Sequence, residues 1–144
     1  MKTYSHEFFK SILLVCLSLV FNTSLANNWV LSGSSSNEEV MYYVDFESAR
    51  IVNKQIEYWS VFNYNFPPTY QSKNYFSRSQ KGLLDCGKRE ILTTYVILYS
   101  EKFGKGSIVA SVPPPSDNQW VPIPPNALAN KSSEQLCKKF NLKY

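Results

Sequence analysis

Cysteine and histidine are the residues in this chain with the most specific chemistry. The sequence contains Cys16, Cys86 and Cys137, and one histidine, His6. A cysteine can act as a nucleophile, bind a metal ion or form a disulfide. A cysteine nucleophile needs a neighbouring base, normally histidine, and a zinc site needs four ligands, usually Cys and His at short spacing. The choice therefore depends on which of these residues the mature protein keeps.

The first 26 residues have the pattern of a secretory signal peptide. Two lysines flank the start of the chain, the apolar run SILLVCLSLVF follows, and Ser24-Leu25-Ala26 has small residues at the two positions that signal peptidase reads. We predict cleavage between Ala26 and Asn27, so that residues 1–26 are the signal peptide and residues 27–144 are the exported domain. The apolar run is shorter than the roughly 20 residues of a transmembrane helix. No later run is as long, so we expect no transmembrane segment in the mature chain.

Cys16 offers a second interpretation of the leader, as the acylated cysteine of a lipoprotein. A lipoprotein signal places a small residue directly before that cysteine, whereas Val15 stands here. We therefore favour Cys16 as an apolar residue of a leader that is removed, over lipid anchoring. The expected location is the periplasm or the outer-membrane surface.

The mature domain keeps two cysteines, Cys86 and Cys137, and no histidine. An even cysteine count in an exported protein favours a disulfide, because the compartment is oxidising. No Cys-x-x-Cys motif is present, so neither a zinc site nor a histidine-activated nucleophile is expected. We predict a Cys86–Cys137 disulfide with a structural role.

The charge of the mature domain argues against a nucleic-acid partner. The full chain has 15 basic and 11 acidic residues, and loss of Lys2, Lys10 and Glu7 with the leader leaves a net charge of +3. The basic residues form no stripe with interleaved aromatics, which a nucleic-acid binder would show.

The mature chain reads as a series of β-strands followed by one helix. Strand-like stretches, rich in Val, Ile, Thr and Tyr, cover residues 28–33, 38–46, 55–65, 74–86, 89–100 and 108–112. We expect residues 47–55 to break the second strand with a tight turn at Asn53-Lys54, and Gly82 to mark a bulge. Pro67-Pro68 predicts a loop over residues 66–73.

The tail changes to a helical pattern over residues 132–140. Ser132 and Gln135 have the Ser-x-x-Gln spacing of a capping box, and Leu136, Cys137 and Phe140 share one helical face. The disulfide would then join this helix to the sheet. The predicted fold is α+β: an antiparallel β-sheet of about five to six strands with a C-terminal helix tied to it by a disulfide.

Catalysis has few residues available in the mature domain. Without histidine, acid–base work would fall to carboxylates, and a glycosidase-like pair could be drawn from Asp45, Glu47, Glu57 and Asp85. Nothing in their spacing singles them out. We therefore expect no enzyme, no metal site and no cofactor, with a carboxylate-based hydrolase as the weakest alternative.

Aromatic residues are the unusual component, at 15% of the chain. β-Sheets favour aromatic side chains, which accounts for most of them. Some could instead form an exposed patch for a protein or a flat ligand. The candidate binding residues are Phe66 and Tyr70, in the loop NFPPTY.

The order of these landmarks resembles the surface-adhesin protein E family of exported bacterial proteins. The resemblance runs from Trp29 to Phe140 through YYVDFESARI, VNKQIEYWSVFNYN, EKFGKGSIV, QWVPIPPNALA and EQLCKKF. It implies an antiparallel sheet with a disulfide-tied C-terminal helix. For well-known members it also implies adhesion to host matrix and serum proteins such as vitronectin and laminin, in some cases haem binding, and a lipid anchor that this leader does not support.

These observations together predict an exported, non-enzymatic, adhesin-like binding protein. Its partner would be a protein, such as a host extracellular-matrix or serum glycoprotein. The alternative is an accessory or structural protein of the bacterial envelope, whose aromatic face docks an envelope protein or a second copy of itself as a homodimer.

Overall fold

Alternating apolar residues build one antiparallel sheet in the computed structural model, which describes residues 27–113 and 119–144. The predicted signal peptide, with Cys16 and the cleavage residue Ala26, lies outside the described residues. Seven strands form the main sheet: β1 (Trp29–Ser34), β2 (Val40–Val52), β3 (Gln55–Tyr64), β6 (Ser77–Asp85), β7 (Glu90–Tyr99), β8 (Ile108–Val112) and β9 (Val121–Pro122). A separate hairpin pairs β4 (Thr69–Tyr70) with β5 (Lys73–Asn74). The helix α1 spans Asn130–Lys139.

The strands follow one another across the sheet in the order β1-β2-β3-β6-β7, and β7 pairs on its outer side with both β8 and β9. Every pairing is antiparallel. The predicted α+β fold is therefore confirmed, with one short strand more than expected. The predicted loop over residues 66–73 is partly wrong, because it contains the small hairpin β4–β5.

Two of the predicted local features are present in the sheet. Asn53 and Lys54 both have positive φ values, of 49° and 68°, which is the backbone of a two-residue hairpin turn between β2 and β3. The pairing of β6 with β7 shifts register between Lys81 and Gly82, whose partners are Tyr95 and Thr93. A bulge is therefore present opposite Gly82, but its extra residue is Thr94 of β7.

The predicted break after residue 46 is wrong, because β2 continues to Val52. The pairing with β3 is interrupted only between Asp45 and Arg50. There the buried Asp45 carboxylate accepts hydrogen bonds from the backbone N–H groups of Glu47 and Ser48, at 3.0 and 3.2 Å. The side chain thus satisfies backbone groups that the bulge removes from the ladder.

The main core lies between one face of the sheet and α1. Its fully buried strand residues are Tyr42, Val44, Ile56, Tyr58 and Leu84, and α1 contributes Leu136 and Cys137. Cys86, directly after β6, forms a disulfide with Cys137, with the two Cα atoms 5.9 Å apart. We call this face of the sheet the helix side and the other the open side.

The helix begins two residues before the predicted capping box. Its N-cap is Ala129, which makes no side-chain capping bond. Ser132 lies inside the first turn, where its buried hydroxyl donates a hydrogen bond back to the Ala129 carbonyl, at 3.0 Å. A serine that bonds to the backbone three residues earlier fits within a helix, so the Ser-x-x-Gln spacing misplaced the start.

The loop between β7 and β8 folds back onto the open side. A 3-10 turn over Lys102–Gly104 places Phe103 against Tyr43, with ring centroids 4.9 Å apart. The backbone N–H of Phe103 donates to the buried Asn63 side chain at 2.8 Å, and that of Gly104 to the Ser77 hydroxyl at 3.0 Å. Gly104 has φ +69°, and a Cβ there would lie 2.9 Å from the Ser79 hydroxyl, so the position requires glycine.

Candidate functional site

The two binding candidates from the sequence lie in the same loop but face different surroundings. Phe66 is 72% exposed and does not line any cavity that we describe. Tyr70, at the end of β4, is half-buried and lines a groove on the helix side. That either residue binds a partner stays a prediction.

The groove is open to solvent and has two adjoining lobes, which we call the helix-side groove. The larger lobe has a volume of about 540 Å³. Its walls are mainly aromatic and aliphatic: Tyr70, Tyr75, Val96, Leu98, Val112 and Pro113. β7 and β8 pair from Val96 to Tyr99, and their aliphatic side chains share this lobe with Tyr70 of the β4–β5 hairpin.

The smaller lobe has a volume of about 330 Å³ and runs toward α1. Phe62, Ile91, Ile123 and Ala127 contribute to its walls. The segment with Ile123 is held in place because its N–H donates to the Arg89 carbonyl at 2.9 Å, directly after β9. Arg78, Thr93 and Val121 line both lobes, so the two lobes meet at these three residues.

Arg78 supplies the positive charge of the helix-side groove. It is half-buried, and its Nε atom is fully buried without a hydrogen-bond partner. The guanidinium carbon lies 5.7 Å from the centroid of the Phe62 ring, a cation–π contact. Within residues 27–113 and 119–144 the ion pairs are Arg50–Glu57 and Lys81–Glu57, so Arg78 has no acidic partner there.

Tyr64, which contacts the groove residue Tyr75, has a raised pKa. Burial raises the pKa of Tyr64, and the neighbouring Tyr75 raises it further, whereas the charge of Arg78 opposes both effects. The Tyr64 and Tyr75 rings are in edge contact, with centroids 5.4 Å apart. Tyr64 is therefore a neutral hydrogen-bonding group beside a cation at neutral pH.

The open side has a second aromatic surface, made of residues from four elements. A cleft of about 290 Å³ is lined by residues that include Trp29, Trp59, Tyr99 and Phe103. Trp59 contacts the 41%-exposed Tyr95 edge-to-face, with centroids 6.0 Å apart, and carries the Lys81 ammonium 5.8 Å from its ring centroid. The aromatic content singled out in the sequence is thus divided between the two faces of the sheet.

The four carboxylates considered for catalysis have separate structural partners. Asp45 holds the β2 bulge, and Asp85 accepts a hydrogen bond from the N–H of Lys88 at 3.0 Å in the turn after β6. Burial would raise the pKa of Glu57, but hydrogen bonds and charge from Arg50 and Lys81 outweigh it and lower that pKa. Glu47, which is exposed, accepts a weak hydrogen bond from Asn28 at 3.3 Å.

The described part of the chain holds no group of three or more His, Cys, Asp or Glu side chains that could bind a metal ion. Among the same residues, no helix has the length and hydrophobicity needed to span a membrane.

Sequence reasoning missed Arg78 and the groove around it. Arg78 occupies an alternate position in β6, between Ser77 and Ser79, opposite Phe62 of β3 and Leu98 of β7. Both of its neighbours across the sheet are apolar, which would have marked Arg78 as unusual. Only the strand register shows this, so the residue pattern alone does not reveal it. The sequence candidate Tyr70 does line the groove. The groove residues Val112, Pro113 and Val121 come from distant parts of the chain and were not predicted.

Comparison with known proteins identifies the family of this chain. The family model described as surface-adhesin protein E matches residues 29–138. A comparison with curated proteins gave no match.

Among solved structures, protein E of Haemophilus influenzae has the same fold. One crystal form has a TM-score of 0.59 at 17% sequence identity, covering 78% of this chain and 89% of that chain. Protein E from non-typeable Haemophilus influenzae gives 0.58 at 19% identity, covering 83% and 81%. With the match of the family model across most of the described residues, this chain belongs to the surface-adhesin protein E family.

Proposed function

We propose that this chain is an exported, non-enzymatic adhesin that acts at the bacterial surface by binding a host extracellular-matrix or serum protein. Membership of the surface-adhesin protein E family carries this proposal. The groove with Tyr70 and the aromatic open side support it, because both offer partly exposed aromatic side chains of the kind enriched at protein interfaces.

The carboxylates also favour binding over catalysis. Asp45 and Asp85 satisfy backbone groups at a bulge and a turn. Glu57 is engaged by two cations. Each of these acids therefore has a structural role, which leaves it less suited to the acid–base work of a glycosidase.

Binding is tested with the exported protein and immobilised vitronectin and laminin, with serum albumin as the reference surface. We expect saturable binding to at least one of the two host proteins, weakening as salt is raised because the mature domain has a net positive charge. Binding no greater than to albumin at low salt would exclude both of these partners.

The open side favours a second candidate, an accessory protein of the envelope. Trp59 and Tyr95 form an aromatic surface beside the Arg50–Glu57–Lys81 ion cluster, which suits a fixed bacterial partner or a second copy of this chain. Cross-linking in living cells separates the two functions. An envelope partner captured through this face, without binding to host proteins, would favour the accessory role.

A further inference from the structure

We propose that the helix-side groove binds an extended protein segment in which one acidic side chain stands between two apolar side chains. The inference rests on the proposed function to the extent that the ligand is a protein. It goes further by naming the site, the residue that recognises the charge, and the pattern of the bound segment.

The charge of the ligand follows from Arg78. Its guanidinium lies among aliphatic and aromatic walls, its Nε is buried without a hydrogen-bond partner, and no carboxylate of the described residues pairs with it. A cation in apolar surroundings interacts more strongly with an anion than it would in water. A carboxylate can also accept two hydrogen bonds from the two terminal nitrogens of one guanidinium.

The position of that charge selects the pattern of the ligand. Arg78 lies where the two lobes meet, with apolar walls on either side of it. A ligand that fills both lobes must carry its carboxylate in the middle and apolar groups on both flanks. A fatty acid, with a terminal carboxylate, would fill one lobe only.

An extended segment meets this requirement through the geometry of a β-strand. Alternate side chains point to the same side, so residues i−2, i and i+2 reach one surface at a spacing of about 7 Å. An apolar–x–acidic–x–apolar sequence therefore places its charge at Arg78 and one apolar side chain in each lobe.

The test uses two fluorescein-labelled peptides, Ser-Leu-Ser-Glu-Ser-Leu-Ser and the same peptide with Gln in place of Glu. Fluorescence anisotropy measures their affinities for the full chain and for Arg78→Gln. We expect the Glu peptide to bind the native protein about tenfold more tightly than the Gln peptide, and this ratio to fall to about one in Arg78→Gln. Arg50→Gln, an arginine on the open side, is the matched control and should keep the ratio.

A second variant covers the case in which Arg78→Gln does not fold. Val121 is 58% exposed and lines both lobes, so Val121→Asp places a negative charge beside the guanidinium with little cost to folding. We expect it to lower the affinity for the Glu peptide about tenfold or more.

Three results would overturn the inference. They are no saturable binding of the Glu peptide up to about 1 mM, equal affinity for the two peptides, or a preference for Glu that persists in Arg78→Gln. Dodecanoate binding in the groove without peptide binding would assign the site to a small amphiphile instead. If the native protein and Arg78→Gln bind vitronectin or laminin equally well, the groove inference fails for that partner while the adhesin function stands.

Discussion

At the scale of single residues, two buried tyrosines govern how this domain responds to alkaline pH. Tyr42 and Tyr58 are almost completely buried, and in neither does the hydroxyl have a hydrogen-bond partner of good geometry. Burial raises the pKa of Tyr42 above 10.0, opposed by the nearby Ser60, Tyr58 and Ser132 hydroxyls. Burial, reinforced by Tyr42, raises the pKa of Tyr58 well above 10.0.

The sign of the pH effect follows from these raised values. Below pH 10 both tyrosines are neutral in the folded and unfolded states, so stability is unaffected. Above it the unfolded chain ionises first, and stability is lost as the pH rises toward the folded-state pKa. At about pH 11, Tyr58, whose folded-state pKa lies well above 10.0, should cost on the order of 1 kcal/mol of unfolding free energy.

Tyr58→Phe tests this prediction by removing one ionisable hydroxyl from the core. We expect the variant to be as stable as the native protein at neutral pH, because the lost hydroxyl has no well-formed hydrogen bond. At about pH 11 it should retain on the order of 1 kcal/mol more stability than the native protein. Urea unfolding at both pH values measures this, with Tyr70→Phe, outside the core, as control. An identical alkaline loss in native and Tyr58→Phe would contradict the assignment.

At the scale of elements, the β7–β8 loop depends on one buried amide. Asn63 is 2% exposed and accepts the hydrogen bond of the Phe103 N–H, while Phe103 itself has φ +61°. A non-glycine residue in that region is held there by its surroundings.

Asn63→Ala should therefore release the loop and leave the Phe103 N–H without its partner. We expect a loss of about 1–3 kcal/mol in unfolding free energy and faster hydrogen exchange at Phe103. Asn65→Ala is the matched control, since the Asn65 side chain accepts from the Lys102 ammonium and donates to the Glu38 carbonyl in positions exposed to water. This substitution should therefore cost less than Asn63→Ala, about 1 kcal/mol or less. Equal effects of the two substitutions would mean that the loop is held by other contacts.

The disulfide is the second element-scale device, because it joins α1 to the end of β6 across 51 residues of sequence. Its loss should lower the unfolding free energy by about 4 kcal/mol on the chain-entropy estimate. The Cys86→Ser/Cys137→Ser double variant, compared with the native protein in urea unfolding without reductant, measures this. A loss below about 1 kcal/mol would show that the packing of Leu136 and its neighbours alone fixes the helix.

The strands were predictable because their signals are local: two alternating sets of side chains identify β3, for example. The disulfide was predictable from the number of cysteines, because two cysteines in the predicted mature chain allow only one pairing. The start of α1 and the continuation of β2 were mispredicted, since Ser132 and Asp45 bond to nearby backbone groups in ways that the residue pattern alone does not distinguish. The groove was beyond reach, because strand register brings Tyr70, Arg78 and Val112 together from separate segments.

At the scale of the whole molecule, the fold is a sheet whose two faces are covered by different elements. One face carries α1 and the helix-side groove, and the other carries the β7–β8 loop and an aromatic surface. The family fold is retained in Haemophilus influenzae protein E at 17–19% identity, so few individual side chains are needed to specify it. Groove residues such as Arg78 are therefore where members of one fold can differ in the partner they bind.

The most direct test of the central claim is the location of the protein on intact cells of its own bacterium. Cells are treated with a protease too large to cross the outer membrane, and the protein is then detected by immunoblotting, with a known periplasmic protein as control. The adhesin function predicts digestion of this protein while the periplasmic control survives. Survival of both in intact cells, with digestion of both after the outer membrane is permeabilised, would place the protein in the periplasm and contradict an adhesin at the cell surface.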